Sequence, residues 1–293
     1  MRILSAILKS MRPLQWVKNL FLFAGLIFSQ EFLNPQKFFL SILAFCVFCL
    51  LASGIYILND IVDLPQDKLH PTKRKRPLPS GELPLWLAAF VSGFLITIGL
   101  VFAFDLNTGF GIVGGIYIIL QLLYSYWLKR LVIVDIIVVA SGFLLRAIAG
   151  AVILEVAISS WLLLCTSLLA LFMVTAKRRQ ELFRIETTDS AVTRDVICQY
   201  TLSFLDELLT ILAYGAVLSY AIYVFDPGTA QRFGTKYLGL SLPFVLYGML
   251  RYLYLVKVLG RGESPEKLVV SDPTFLINLL LWILSIILVI YIF

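Results

Sequence analysis

Long apolar blocks alternate with short polar stretches along this chain, and each block approaches the roughly 20 residues that a helix needs to cross a bilayer. The pattern predicts spans at 19–33, 37–58, 84–104, 107–128, 132–156, 159–176, 200–225, 237–257 and 273–293. The first span is the weakest, because Ser29, Gln30 and Glu31 interrupt it. We therefore expect an all-α, polytopic membrane bundle of about nine transmembrane helices, forming a single integral-membrane domain over residues 1–293.

The basic residues between these spans predict the orientation of the chain. Of the 24 Lys and Arg residues, twenty lie in the N-terminal segment and the loops that share its side. Only Lys37, Arg232 and Lys236 lie on the opposite side, and Arg146 lies within a span. The positive-inside rule then places the N-terminus and the long basic loops in the cytoplasm, and the C-terminus outside, in the cell (inner) membrane.

Composition narrows the class of protein further. Apolar residues make up 60% of the chain and charged residues 14%, against about 45–50% and 25% in soluble domains. The net charge of +6 comes from residues between spans, which favours membrane lipids and an anionic substrate as partners, with no nucleic acid. A multi-histidine metal site is excluded because His70 is the lone histidine.

The strongest local signal is an acidic run at the end of the second predicted span, from Asn59 to Asp67. Asn59, Asp63 and Asp67 recur every four residues, and Asp60 lies about 100° from Asn59 around a helix. Oxygen ligands on one helix face suit Mg²⁺, which binds one or two carboxylates and completes its shell with water and phosphates. Pro65 can break the helix and place Asp67 on a new turn.

Five cations follow the acidic run directly, between positions 68 and 76. Arginine binds phosphate through two parallel hydrogen bonds, and lysine acts as a mobile point charge. Acids followed at once by cations indicate a metal-bound diphosphate held between them.

Two charged residues within a predicted span, Asp135 and Arg146, lie on the same side of their helix. We expect Asp135 to reach the site and Arg146 to bond carbonyl groups or Glu155.

The run NDxxDxxxD at 59–67, continued by HPxKxxRPLPSG at 70–81, resembles the UbiA superfamily of intramembrane prenyltransferases, and within it the decaprenyl-phosphate phosphoribosyltransferase branch. Residues 12–19, 124–130, 177–182 and 264–272 carry the same resemblance. It implies helices around a central cavity open to the cytoplasmic side, and aspartates that hold Mg²⁺ on a diphosphate. The loop after the sixth span departs from the aromatic prenyltransferases of the superfamily, since it lacks a clean second aspartate motif and opens with three cations.

The resemblance implies transfer of 5-phosphoribosyl from phosphoribosyl pyrophosphate to a polyprenyl (decaprenyl) phosphate lipid, with release of pyrophosphate. The catalytic candidates are Asp60 and Asp63, and the metal candidates are Asp60, Asp63 and Asp67. The substrate-binding candidates are Lys18, Asn59, His70, Lys73, Arg76, Tyr124, Lys129, Arg130, Lys177, Arg178 and Arg179. Two roles stay open for His70: a hydrogen bond to a phosphate, or shaping the loop in which it lies.

Two other functions stay open on the sequence alone. One is an aromatic prenyltransferase acting on an acceptor such as 4-hydroxybenzoate, because departure of a diphosphate is common to both reactions. The other is a transporter of an anionic metabolite, which predicts inverted repeats and helices broken at the bilayer midplane. The sequence shows neither feature clearly. Oligomeric state and prenyl length are left open.

Overall fold

A computed structural model describes residues 2–157, 159–188, 196–260 and 271–291 of the chain. The described residues are helical, with short turns between the helices and no strand. The helices are α1 Arg2–Met11, α2 Phe23–Phe28, α3 Pro35–Val62, α4 Leu64–Leu69, α5 Leu85–Leu106, α6 Thr108–Tyr126, α7 Val134–Ile153, α8 Ser160–Thr188, α9 Leu202–Phe225, α10 Pro227–Phe233, α11 Leu242–Lys257 and α12 Pro273–Tyr291. Short 3₁₀ helices occupy Pro13–Leu22, Lys73–Lys75, Leu128–Arg130, Ile197–Gln199 and Tyr237–Ser241.

Eight helices in the described part of the chain are long and apolar enough to cross a membrane. They match the second to ninth predicted spans, which confirms an all-α membrane fold. The first predicted span, 19–33, takes a different form: a 3₁₀ helix over Pro13–Leu22 followed by the six-residue α2. At about 2.0 and 1.5 Å per residue the two pieces reach roughly 29 Å. The count of nine spans stays a prediction.

Helix α8 runs well past its predicted end at residue 176, to Thr188. The prediction of a loop from Lys177 onward was therefore wrong for residues 177–188. The apolar pattern ends at the first charged residues, whereas the helix continues through them. Residues 177–188 contain many good helix formers, including Lys, Arg, Gln, Glu and Leu. Asp189, Arg194, Asp195, Arg261, Lys267 and the 264–270 part of the last motif lie outside the described residues.

The chain forms two compact units, and the single domain expected from the sequence stays a prediction. Unit 1 holds the described residues up to Leu26, Phe32–Val156 and Val196, and unit 2 holds Ile27–Glu31 and the remaining described residues. The core of unit 1 is formed where α3, α6 and α7 bury Phe48, Phe110 and Tyr117. In unit 2, α8, α9 and α11 pack around Phe172, Leu209 and Val256.

The Pro13–Leu22 3₁₀ helix lies directly on the backbone of α7. A Cβ atom on Gly150 would lie 1.9 Å from the carbonyl oxygen of Leu22, so only glycine allows this approach. Asn19 joins the same segment to two helices: its Oδ1 accepts from Arg146 Nε at 2.7 Å, and its Nδ2 lies 3.2 Å from Cys49 Sγ. Unit 1 thus fixes the N-terminal segment against α3 and α7.

Arg146 is buried in unit 1 and bonds neutral groups. Besides Asn19, it donates to the carbonyl oxygen of Gly142 at 2.6 Å and to the hydroxyl of Tyr117 at 3.0 Å, and it lies over the Tyr117 ring. The carbonyl contact was one of two partners expected for Arg146, and the contacts described here do not include Glu155. A buried guanidinium with several acceptors is a structural element that ties α6, α7 and the N-terminal segment together.

Candidate active site

The acidic run straddles the junction between α3 and α4. Asp60 lies in the last turn of α3, Asp63 caps that helix, and Asp67 lies on α4, which begins one residue before Pro65. The new turn expected at Pro65 is therefore present. It remains joined to α3, because the amide of Asp67 donates to the carbonyl oxygen of Asp63 at 2.8 Å. The side chains of Asp60 and Asp67 are only 3% and 2% exposed, whereas that of Asp63 is 22% exposed.

The guanidinium of Arg76 bridges the two buried carboxylates. Its Nη1 atom lies 3.0 Å from Asp60 Oδ1 and 2.8 Å from Asp67 Oδ2. Arg12 pairs with the same Asp60 oxygen, and Lys73 Nζ lies 3.5 Å from Asp67 Oδ1. Asp60 on α3 and Asp67 on α4 thus share one group of cations.

Asp63 points to a different partner, Lys129, which follows α6 in the Leu128–Arg130 turn. Beside it, Ser125 near the end of α6 donates to the side-chain oxygen of Asn59. Asn59 and Asp63 therefore contact residues at and just after the end of α6, while Asp60 pairs with Arg12 and Arg76 and Asp67 pairs with Lys73 and Arg76. The expected cluster of three aspartates is divided between these two groups of partners.

The loop that carries Lys73 and Arg76 is shaped by His70. Its Nδ1 atom accepts the backbone amides of Thr72 and Lys73, at 3.1 and 3.2 Å. Partial burial, and then the nearby charge of Lys73, lower the pKa of His70 below its ordinary value. Both effects keep Nδ1 unprotonated, and these bonds support the loop-shaping role of His70.

The other predicted substrate-binding residues of unit 1 differ in exposure. Tyr124 is buried near the end of α6, Lys18 is half-buried in the Pro13–Leu22 helix, and Arg130 is exposed. Asp135, expected to reach the site, is fully buried in the first turn of α7. Their assignment to substrate binding stays a prediction.

In unit 2, the predicted cation triplet lies on α8, and two of its members are held by that unit. Arg179 donates from Nε and Nη2 to the two carboxylate oxygens of Asp206, at 2.9 and 3.3 Å, and from Nη1 to the carbonyl oxygen of Val256 at 3.0 Å. Arg178 is buried and pairs with Glu181 at 2.9 Å. Lys177 is half-buried.

Two further bonds extend the same network. Lys257 Nζ donates to the backbone oxygen of Asp206 at 2.8 Å and to the hydroxyl of Thr210 at 2.7 Å. Gln180 Nε2 donates to the carbonyl oxygen of Gly260 at 2.6 Å, where the chain leaves α11. Arg179, Gln180 and Lys257 therefore join α8, α9 and the end of α11. A phosphate ligand for Arg179 would have to compete with a two-pronged carboxylate.

Sequence reasoning missed Arg12 as a site residue. It lies between α1 and the Pro13–Leu22 helix, pairs with Asp60, and stacks over the ring of Tyr56 at 5.4 Å. The run at 12–19 was noticed only as part of a family resemblance. The one available signal was an arginine directly before a proline in the basic N-terminal segment.

The donor set of Asp60 and Asp67 fits a divalent cation. In the described residues no three His, Cys, Asp or Glu side chains converge to hold a metal ion, so the aspartate trio stays a prediction. Two carboxylates suffice for Mg²⁺, which completes its shell with water and phosphates. Asp60 Oδ1 and Asp67 Oδ2 both bond the same atom, Arg76 Nη1, at 3.0 and 2.8 Å, so the two carboxylates converge on one point.

The fold and the site together define an integral membrane protein with paired buried carboxylates and a surrounding group of cations. The profile of the UbiA prenyltransferase family matches residues 19–279. The chain belongs to this family.

Curated relatives share most of its length. The decaprenyl-phosphate phosphoribosyltransferase of Mycolicibacterium smegmatis is 35% identical, covering 96% of this chain and 91% of that protein. The protein of the same name from Corynebacterium glutamicum is 36% identical, with coverages of 97% and 86%. A UbiA homologue from Archaeoglobus fulgidus, solved with DMAPP and Mg²⁺, has the same fold, with a TM-score of 0.72 at 18% identity over 98% of this chain and 99% of that one. A further structure of that homologue contains Cd²⁺.

Proposed function

We propose that this protein transfers a 5-phosphoribosyl group from phosphoribosyl pyrophosphate to a polyprenyl phosphate, and that the reaction requires Mg²⁺. The observation that carries the proposal is the pair of buried carboxylates, Asp60 and Asp67, joined by Arg76 and flanked by further cations. The relatives named decaprenyl-phosphate phosphoribosyltransferase, 35% and 36% identical over nearly the whole chain, support the same reaction.

The charges of unit 1 suit a donor with two phosphorylated ends. Asp60 and Asp67 would hold the divalent ion, whose bound charge supplies electrostatic stabilisation to a leaving pyrophosphate. The side chains of Arg76, Lys73 and Lys129 are 33%, 26% and 12% exposed, and each could exchange its carboxylate partner for a phosphate oxygen. Together these groups would reduce the repulsion between an anionic donor and an anionic lipid acceptor.

The bond changes need little from the protein beyond positioning. The bond from ribose C1 to the pyrophosphate oxygen breaks, and its electron pair leaves with pyrophosphate, while a lipid phosphate oxygen forms the new bond to C1. The acceptor is already ionised near neutral pH, so no general base is required. The scheme does not need His70 as a base, which agrees with the two backbone amides that its Nδ1 atom already accepts.

The side of the membrane that the site faces is also part of this proposal. Its cations lie in segments that the positive-inside rule assigns to the cytoplasm. A soluble, polyanionic donor would then reach the site from the cytoplasm of the cell, and the lipid acceptor from the inner membrane. Steering by the basic segments would raise the rate at which the donor arrives.

A transfer assay with two donor–acceptor pairs tests the function. Purified protein with Mg²⁺ receives labelled phosphoribosyl pyrophosphate and decaprenyl phosphate, or a polyprenyl diphosphate and labelled 4-hydroxybenzoate. We expect labelled lipid only from the first pair, loss of that product in Asp60→Asn, and full activity in Glu82→Gln, which removes an exposed carboxylate outside the site. Product from the second pair alone would replace the proposal with the aromatic prenyltransferase.

A further inference from the structure

Arg12 occupies an unusual backbone conformation beside the candidate site. Its φ and ψ are 54° and 63°, the left-handed region that arginine rarely adopts. Hydrogen bonds hold the backbone on both sides: the amide of Arg12 donates to Lys9, and the carbonyl oxygen of Arg12 accepts from Gln15 at 2.8 Å. Strain that persists at one residue within a well-bonded segment is typical of a position with a functional side chain.

The neighbouring contacts fix where this side chain starts. The hydroxyl of Ser53 on α3 donates to the carbonyl oxygen of Met11 at 3.3 Å and accepts from Trp16 Nε1 at 3.0 Å. The Arg12 backbone is thereby attached to α3, the helix that carries Asp60. Its side chain is 29% exposed, so the guanidinium can move without displacing the backbone.

Asp60 Oδ1 is a point of competition, because Arg12 and Arg76 both bind it. The two buried carboxylates face three cations, Arg12, Lys73 and Arg76. Without a metal the local charge is already positive, and a divalent ion on the same oxygens would repel the guanidiniums. An anionic ligand that receives the displaced guanidinium removes that repulsion.

We propose that Arg12 is a further substrate-binding residue, which neutralises Asp60 in the metal-free site and transfers to the diphosphate of the donor when Asp60 takes up the divalent ion. The inference rests on the proposed function only in that the donor carries a diphosphate. It gives binding of the ion and of the diphosphate a positive coupling, since each favours the movement of Arg12 away from Asp60.

The first test measures metal binding without any substrate. Mn²⁺ is titrated into the purified full-length protein and free Mn²⁺ is followed by electron paramagnetic resonance. Arg12→Gln removes a competitor for Asp60, so we expect Mn²⁺ affinity to rise by about three- to tenfold, the equivalent of one charged contact. The matched control is Lys9→Gln, an exposed lysine of the same N-terminal basic segment as Arg12, for which we expect no change. Unchanged or weaker Mn²⁺ binding by Arg12→Gln would overturn the proposal.

The second test uses inorganic pyrophosphate at saturating Mn²⁺, so it holds whether the donor is phosphoribosyl pyrophosphate or a prenyl diphosphate. We expect Arg12→Gln to weaken pyrophosphate binding by about tenfold or more, and Lys9→Gln to leave it unchanged. Arg12→Lys, which keeps the charge, should bind Mn²⁺ like the natural protein and lose only part of the pyrophosphate affinity. It also serves if Arg12→Gln does not fold. Pyrophosphate affinity in Arg12→Lys equal to that of the natural protein, or Mn²⁺ affinity raised in it, would contradict the role of Arg12.

Discussion

Gly150 offers the sharpest link between packing and the site. An alanine there would place its Cβ 1.9 Å from the carbonyl oxygen of Leu22 and within 2.8 Å of two more Leu22 backbone atoms. These are backbone atoms, so no side-chain rotation relieves the clash, and the Pro13–Leu22 helix must move away from α7 by about 1 Å or more to restore a contact of ordinary length. Overpacking of this kind costs about 1–3 kcal/mol, and we expect the upper part of that range.

Thermal unfolding of the purified protein, followed by size-exclusion chromatography after heating, measures this loss. The control is Gly115→Ala on α6, where nothing lies within 4 Å of an added Cβ, so stability should hold or rise by up to about 1 kcal/mol. Because Arg12 precedes the displaced helix, Gly150→Ala should also weaken pyrophosphate binding. If Gly150→Ala is as stable as the natural protein, the close approach of the two backbones is refuted.

Two other predictions concern Arg179 and His70. Arg179→Met breaks a largely buried pair with Asp206, and because Asp206 is 29% exposed we expect the free energy of unfolding to fall by about 2 kcal/mol in thermal or denaturant unfolding. Donor affinity should stay within twofold of normal. A large loss of donor affinity without destabilisation would contradict the structural role of Arg179. The pKa of His70, the lone histidine, should lie below about 6.5 in an NMR titration. Neutral His70 then contributes its full stability to the fold above pH 6.5, and this contribution is lost as the pH falls through the lowered pKa. A value at or above 6.5 would contradict the bonding of Nδ1.

Hydrophobic patterning was sufficient for most of the fold. Eight predicted spans coincide with helices because about 20 apolar residues leave a helix as the simplest way to satisfy the backbone in a membrane. The first predicted span takes another form, a 3₁₀ helix followed by the short α2, and its Asn19 is polar because it bonds Arg146. The pattern failed at the end of α8, because helix formation continues through charged residues such as Arg178 and Arg179.

The sequence was sufficient to predict a site of acidic and basic residues, but not which acidic residue pairs with which basic one. Spacing placed Asn59, Asp63 and Asp67 on one helix face with Asp60 about 100° away, whereas the structure brings Asp60 and Asp67 together at Arg76. The same spacing could not tell that Asp63 would turn toward Lys129, since that depends on where α6 ends. Nor could it assign Arg12, because its approach to Asp60 depends on a left-handed turn between α1 and the next helix.

The most direct measurement of the central claim is equilibrium binding of radiolabelled phosphoribosyl pyrophosphate to the purified protein, with Mg²⁺ and after complete chelation. The account predicts tight binding that needs both the divalent ion and Asp60, so chelation and Asp60→Asn should each reduce the affinity by at least about tenfold, in protein that still elutes as a folded species. Full donor affinity after chelation, or in Asp60→Asn, would contradict a carboxylate-held ion as the basis of donor binding.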